Sequence, residues 1–161
     1  MSIPGAVLGL DFGERRIGVA LSDPERMLAS GILTLDRKKQ PDFWTPLLEI
    51  IQRKKVTAIV VGYPLRTDGL VKAGGKTEAV DAFVVALKER FALPVHLEDE
   101  AFTSSMAADS LRGRHTGKSA RNKTPKDWAR QKAEIDRVAA CFILQDWLDR
   151  EEAEKTQRRA P

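Results

Sequence analysis

The sequence predicts an α/β domain built on a mixed β-sheet that is flanked by helices. Three apolar strand-like runs come first, and from residue 42 onward segments with helical periodicity alternate with further apolar runs. Strands joined by short turns pair antiparallel, whereas strands joined through a helix pair parallel. The order of the elements therefore predicts both kinds of pairing, and 161 residues suffice for one domain with its own core.

Each of the first three predicted strands has its own signal. Residues 5–11 are apolar on both alternating faces up to Asp11, which is typical of a central strand covered on both sides. Residues 17–22 alternate bulky with small side chains, so one face of that strand is large and the other is small. Gly13 and its charged neighbours indicate a hairpin turn between the two, and a third strand is predicted over 27–35.

Helices and strands alternate in the next part of the chain. The predicted segments are, in order, a helix over 42–54, a strand over 56–62, a helix marked by apolar residues over 80–91 and a strand over 95–100. The sheet therefore has five strands, three antiparallel and then two parallel. This arrangement places the carboxyl ends of several strands along one edge.

Two more helices are predicted towards the C-terminus. Thr103 fits an N-cap and Gly113 a C-terminal cap of the first. The second has strong apolar periodicity over 132–149, while Thr124 followed by Pro125 offers an earlier start.

Composition and the terminal segments predict the cellular compartment and the extent of the domain. The one cysteine, Cys141, excludes an internal disulfide framework and indicates a reducing compartment, so we expect a cytoplasmic protein. No apolar run approaches the roughly 20 residues that span a bilayer, so no membrane association is expected. We place one domain at residues 1–150 and interpret the charged residues 151–161 as a disordered tail.

Positive charge is concentrated in residues 112–132. This segment holds eight Lys or Arg residues and one acid, whereas the whole chain has a net charge of +4. Such a cluster is typical of a surface that meets phosphates, which makes Lys118, Arg121 and Lys123 candidate nucleic-acid-binding residues. A solvated basic loop explains the composition equally well.

Three carboxylates from separated elements form the candidate catalytic site. Asp11 and Glu100 each end a predicted strand, and ligands of open α/β sheets bind at such ends. Asp136 is in line with the inward-facing apolar stripe of the last helix, where a carboxylate needs a partner. An all-oxygen set without a His or Cys cluster suits Mg²⁺ or Mn²⁺, and two such ions support phosphodiester hydrolysis.

Each acid also has a local explanation. Asp11 is a reasonable turn former, and Glu100 could cap or neutralise a neighbouring helix. Asp136 could pair with Arg137 or Lys132, or benefit from a nearby helix N-terminus. Only the coincidence of all three carboxylates favours a metal site.

Four sequence blocks resemble a known family. "LGLDFGERRIGVALSD", "VVGYPLRTDG", "DEAFTS" and "IDRVAACFILQDWLD" resemble, in order, blocks of the YqgF-type family of Holliday-junction-resolvase-like proteins and pre-16S rRNA nucleases. The resemblance extends from Val7 to Asp149. It implies an RNase H-like fold and a metal-dependent phosphodiesterase that acts on structured nucleic acid.

The resemblance also implies roles for individual residues. Asp11, Glu100 and Asp136 would be the catalytic and metal-binding residues, with Asp99 as a second-tier candidate. Where the family usually reads Asp-Glu-Arg this chain has Ala101 in third place, so one cation is missing beside Glu100. The predicted nucleic-acid-binding residues outside the basic segment are Gly13, Arg15, Arg16 and Arg66.

These observations lead to three functional hypotheses. The first is a Mg²⁺- or Mn²⁺-dependent endonuclease, a hydrolase of ester bonds that processes the 5′ end of pre-16S rRNA. The second keeps the chemistry but takes a branched DNA junction, which favours a homodimer over a monomer. The third is a nucleic-acid-binding ribosome assembly factor with vestigial activity.

Overall fold

The computed structural model describes residues 3–63, 76–99 and 124–160, which form one mixed sheet with helices on both faces. The strands are β1 (Ala6–Phe12), β2 (Arg16–Ser22), β3 (Ala29–Asp36), β4 (Val56–Tyr63) and β5 (Val95–Asp99), and the helices are α1 (Trp44–Arg53), α2 (Lys76–Phe91) and α3 (Pro125–Arg159). The helix predicted between Thr103 and Gly113 lies outside the described residues.

The strand order in the sheet is β3-β2-β1-β4-β5. β1 pairs antiparallel with β2, and β2 pairs antiparallel with β3. β4 is parallel to both β1 and β5, because the chain returns through a helix between these strands. The five-stranded mixed sheet predicted from the sequence is confirmed.

One face of the sheet carries large side chains. Leu8, Leu10 and Phe12 of β1 project from it into a cluster that includes buried residues of α1 and α2. Phe12 stacks on Phe83 of α2 with ring centroids 4.1 Å apart, and Trp44 of α1 lies 5.6 Å from the same ring. Apolar burial of aliphatic and aromatic side chains therefore holds α1 and α2 to the sheet.

The other face carries small side chains, and α3 lies directly on it. Gly18 and Ala20 of β2 belong to this face, as the alternation in residues 17–22 predicts. A Cβ atom on Gly18 would overlap the carbonyl group of Asp136, so the helix backbone contacts the strand backbone there. Farther along α3, Ile143, Leu144 and other apolar side chains complete a second core.

The long helix α3 begins at the earlier of the two starts indicated by the sequence. The hydroxyl of Thr124 accepts a hydrogen bond from the Asp127 N–H, and the Asp127 carboxylate accepts one from the Thr124 N–H. This capping box and Pro125 in the first turn fix the start. The helix continues beyond residue 150, where most side chains are exposed, and the division at 150 stays a prediction. In the described part of the chain, no helix has the length and apolarity needed to cross a membrane.

Candidate active site

Asp11 lies near the carboxyl end of the central strand, on the face that α3 covers. Residues of β1 alternate between the two faces: Leu10 and Phe12 join the large cluster, so Asp11 points to the α3 side. Its antiparallel partner in β2 is Gly18. Asp11 is half-buried, which is unusual for a carboxylate that serves only a surface turn.

The backbone of α3 brings Asp136 next to Asp11. Gly18, the cross-strand partner of Asp11, lies against the Asp136 carbonyl group. Directly opposite residues of antiparallel strands have Cβ positions about 5 Å apart, so Asp11 lies beside Gly18, on the face where the Asp136 backbone contacts that glycine. A larger residue in place of Gly18 would hold the helix away from the sheet. The structure thus unites two predicted site residues that are 125 positions apart in the sequence.

Arg16 is the direct partner of Asp136. Its Nε donates a hydrogen bond to Asp136 Oδ2 at 2.6 Å, and both side chains are 24% exposed. Burial raises the pKa of Asp136, while the hydrogen bond and positive charge of Arg16 act in the opposite direction, with a smaller contribution from Lys132. The sequence suggested Arg137 or Lys132 as local partners, but the ion-pair partner is Arg16, 120 residues away.

The hairpin turn after Asp11 is tightly held. The Gly13 N–H donates to the Arg16 carbonyl at 2.9 Å, and a Cβ atom on Gly13 would lie 2.8 Å from the same oxygen, so the turn requires glycine. Arg15 is half-exposed, and its guanidinium is 3.6 Å from the Asp36 carboxylate. Arg15 is thus accessible at the turn, whereas Arg16 faces Asp136.

Several predicted site residues lie outside the described residues: Glu100, Arg66, Lys118, Arg121 and Lys123, together with Ala101. Asp99 is described; it is exposed and, by strand alternation, lies on the face opposite Asp11. In the part of the chain that the structure describes, no group of three or more His, Cys, Asp or Glu could hold a metal ion. Asp11 and Asp136 supply two oxygen donors, which fit a hard divalent cation but leave the ligand set unfinished.

Glu98 is a buried carboxylate whose role the sequence did not indicate. Both oxygens of Glu98 accept hydrogen bonds from the guanidinium of Arg150 in α3. Burial raises the pKa of Glu98, while Arg150 acts in the opposite direction. The alternation in β5 gave no signal for this, because hydropathy predicts a buried Leu97 and an exposed Glu98, whereas Leu97 is 47% exposed and Glu98 is buried. The pair attaches the end of β5 to α3.

Two solved structures, both of resolvases, share the fold of this chain. Thermus thermophilus RuvC, in complex with a Holliday junction substrate, superposes with a TM-score of 0.50 at 16% identity, covering 92% of this chain and 96% of that one. The Fowlpox virus resolvase, in complex with Holliday junction DNA, gives 0.51 at 11% identity, covering 89% and 98%. These identities establish the fold alone. The molecule therefore has an RNase H-like fold.

The sequence comparisons narrow this class to one family. A family model described as "RuvX: Holliday junction resolvase" matches residues 5–150, and the chain belongs to that family. A Koribacter versatilis protein is 38% identical over 149 residues, covering 92% of this chain and 90% of the relative. A Roseiflexus protein is 39% identical over 148 residues, covering 92% and 96%.

Both relatives carry the name "Putative pre-16S rRNA nuclease". The family predicted from the sequence is confirmed, and the relatives' name agrees with the predicted nuclease function.

Proposed function

We propose that this protein is a divalent-metal-dependent endonuclease that hydrolyses phosphodiester bonds in structured nucleic acid. The observation that carries the proposal is the convergence of Asp11 and Asp136 across Gly18 on one face of the sheet. Glu100, which follows the last residue of β5, is the third ligand that we assign. Carboxylate oxygens alone favour Mg²⁺ or Mn²⁺, and we propose two ions.

The chain's own contribution to catalysis is to hold charge rigidly in place. Bound divalent ions would supply an activated water and stabilise the leaving oxygen. Asp11 belongs to the central strand, which is buried along most of its length, so its backbone position is fixed before substrate arrives. Arg16 orients Asp136 through one carboxylate oxygen. Within the described residues, Asp136 Oδ1 accepts no hydrogen bond, so this oxygen is available to a cation.

We further propose that the substrate is precursor 16S rRNA, cut at its 5′ end in the cytoplasm. The name shared by the curated relatives supports this substrate. The description of the matching family model supports a second candidate, a four-way DNA junction. Both substrates present the same phosphodiester group to the carboxylates, so the chemistry is common to both.

Positive side chains would hold the substrate's backbone. Arg15 at the hairpin turn is accessible for this role, and Arg16 lies between the turn and Asp136. Arg66, Lys118, Arg121 and Lys123 remain our candidates for further phosphate contacts on the basis of the sequence. Ala101 removes a cation that the family usually has, so these residues would have a larger share in binding.

Cleavage assays with an Asp11→Asn variant test the proposal. Precursor rRNA and a four-way DNA junction are each incubated with Mg²⁺, Mn²⁺ or a chelator. We expect the variant to lose about 100-fold or more in rate, because the amide cannot replace an anionic ligand. Asp149→Asn, which changes an exposed carboxylate on α3, is the matched control and should cut normally.

Two results would count against the mechanism. Cutting by the Asp11→Asn variant at the parental rate, or cutting that survives chelation, would remove the carboxylates from catalysis. Tight binding of precursor rRNA without cleavage under any metal would instead support a ribosome assembly factor. The substrate that the parent protein cuts faster decides between RNA processing and junction resolution.

A further inference from the structure

A basic cleft adjoins the hairpin turn that follows Asp11. It has a volume of about 510 Å³ and is lined by Glu14, Arg15, Arg37, Lys38, Pro41 and Phe43. Two of these residues belong to the turn, and the others lie between the end of β3 and the start of α1. The cleft therefore begins three residues after a proposed catalytic carboxylate.

Arg37 makes the floor of this cleft rigid. Its Nη1 donates hydrogen bonds to the carbonyl oxygens of Gly13 at 3.0 Å and Glu14 at 2.9 Å. Its guanidinium lies 4.5 Å from the centre of the Phe12 ring and 5.7 Å from that of Phe43. The Arg37 N–H also donates to the Arg15 carbonyl at 2.7 Å. The turn and the segment after β3 are thereby held as one unit.

The accessible cations of the cleft are Arg15 and Lys38. Arg15 is 53% exposed, and its 3.6 Å contact with Asp36 is a loose surface ion pair of little energetic value. Asp36 Oδ1 is already engaged, because it accepts the backbone N–H groups of Lys38 and Lys39. In the described residues, the Lys38 side chain forms no ion pair. An incoming anion would therefore meet two side chains that need little rearrangement.

We propose that this cleft binds a backbone phosphate of a nucleic acid strand, outside the bond that is cut. The proposal rests on the proposed function and adds a second point of contact to the same substrate. Asp11 faces α3, whereas Arg37 lies over Phe12 on the opposite face, so the cleft and the carboxylates are on the two sides of one tight turn. A strand that passes over the turn would contact both, and Phe43, which lines the cleft, would offer its bases an apolar wall.

Binding measurements on charge variants of Lys38 test the cleft. A labelled precursor-rRNA hairpin and a four-way DNA junction are titrated with protein in EDTA at several salt concentrations. We expect Lys38→Glu to weaken binding about tenfold, and Lys38→Ala to lower the slope of log K against log salt by about 1. The backbone bond of Lys38 to Asp36 survives both substitutions, so the fold is retained.

Lys54 provides the matched control. It is exposed and caps the far end of α1, about 16 Å along the helix axis from Phe43. Lys54→Glu makes the same charge change away from the cleft and should leave affinity within about twofold of the parent. If Lys38→Glu binds as tightly as Lys54→Glu, the cleft is not a phosphate site and the proposal is wrong.

This result is separable from the catalytic proposal. Binding in EDTA involves no cleavage, so it is unaffected by whether Asp11 holds a metal. A parental cleavage rate in the Asp11→Asn variant would overturn the catalytic role of the carboxylates and leave a Lys38-dependent affinity in place. Equal binding by the Lys38 and Lys54 variants would overturn the proposed phosphate site in the cleft, but it would not affect the conclusion drawn from the cleavage assay.

Discussion

The two faces of the sheet are covered in opposite ways. Large side chains fill the space between the strands and α1 and α2, whereas on the other face α3 lies against glycine and alanine. Asp11 and Asp136, two of the three proposed catalytic carboxylates, are on the small face. Because the backbones of α3 and β2 are in contact at Gly18, a small displacement of α3 moves Asp136 directly. The core between the sheet and helices α1 and α2 consists of side-chain contacts, so we expect that it can lose packing without moving Asp11 or Asp136.

We therefore expect substitutions on the two faces of the sheet to differ in their effects on stability and on activity. Substitutions on the large face should lower the free energy of unfolding with little effect on the folded enzyme's rate. Substitutions that introduce larger side chains on the small face should lower both the free energy of unfolding and the cleavage rate. Four variants are ordered by their expected effect on stability, and the first two test this separation.

Phe83→Ala should produce the largest loss of stability. Phe83 is 4% exposed and stacks on Phe12, so its removal leaves a cavity in the large-face core. We expect a loss of about 3–4 kcal/mol in the free energy of unfolding, measured by urea denaturation. The rate of cleavage by the folded fraction should stay near the parental value.

Val85→Ala is the control for this variant, because Val85 lies on the same helix and is 54% exposed. It should change stability by less than about 0.5 kcal/mol. A large fall in the cleavage rate of folded Phe83→Ala would contradict the separation of the two faces.

Gly18→Ala should lower both stability and activity. The new methyl group overlaps the Asp136 carbonyl, so α3 has to shift away from β2. We expect a loss of about 2–3 kcal/mol in stability and about 100-fold in cleavage rate. Circular dichroism and urea denaturation establish the folded fraction before rates are compared.

Val19→Ala is the matched control in the next residue of the same strand. Val19 is fully buried but faces the large cluster, so the variant should lose about 2 kcal/mol in stability and keep its cleavage rate. Equal losses of rate in the Gly18 and Val19 variants would show that the face of the strand does not matter.

The sequence predicted this two-faced sheet because side-chain size alternates along residues 17–22. It also placed Asp136 on the inward stripe of the last helix, and the structure finds Asp136 half-buried there. Periodicity reports which side of an element is buried, so such features are accessible to sequence reasoning. The RNase H-like fold followed from the four family blocks, and the structural neighbours confirm it.

Pairing between side chains that are distant in the sequence was harder to predict from the sequence. Neither the Arg16 bond to Asp136 nor the Glu98 pair with Arg150 follows from periodicity, because each joins elements far apart in the sequence. Of the residues near in sequence, Lys132 adds only a smaller electrostatic contribution and Arg137 lies against Glu134, so neither is the hydrogen-bonded partner of Asp136. The cleft around Arg37 was missed for the same reason, since its walls come from two separate turns.

Arg150→Met should have a moderate, pH-dependent effect. Arg150 is about half-exposed, but its partner Glu98 is buried, so the variant leaves a carboxylate without its cation. We expect a loss of about 1–2 kcal/mol in stability near pH 8. Glu98→Gln combined with Arg150→Met should recover part of this loss, because burial of a neutral amide costs less free energy than burial of an unpaired carboxylate.

The sign of the pH dependence follows from burial. Desolvation raises the pKa of Glu98 in the folded state, and loss of Arg150 raises it further. A raised carboxyl pKa means that the folded state binds the proton more tightly, so stability falls as pH rises from the unfolded value, about 4.3, through the folded one. The deficit of Arg150→Met should therefore be smaller near pH 4.5 than at pH 8, and a constant deficit would contradict this account.

Arg16→Gln should have the smallest effect on stability and the most informative effect on metal binding. The Arg16–Asp136 pair is half-buried, so its loss should cost about 1 kcal/mol or less without metal. The same substitution leaves the Asp136 carboxylate without its cation and makes the proposed site more negative by one charge. Added Mn²⁺ should then raise the melting temperature more in the variant than in the parent, because binding to the folded state stabilises it.

Arg137→Gln distinguishes a local effect of Arg16 from a general loss of positive charge. Arg137 is the next residue to Asp136, but its guanidinium points to Glu134, 4.0 Å away. Its removal changes the net charge equally and should leave the Mn²⁺-induced shift close to the parental one. Equal shifts in the two variants would mean that Arg16 does not compete with a cation for Asp136.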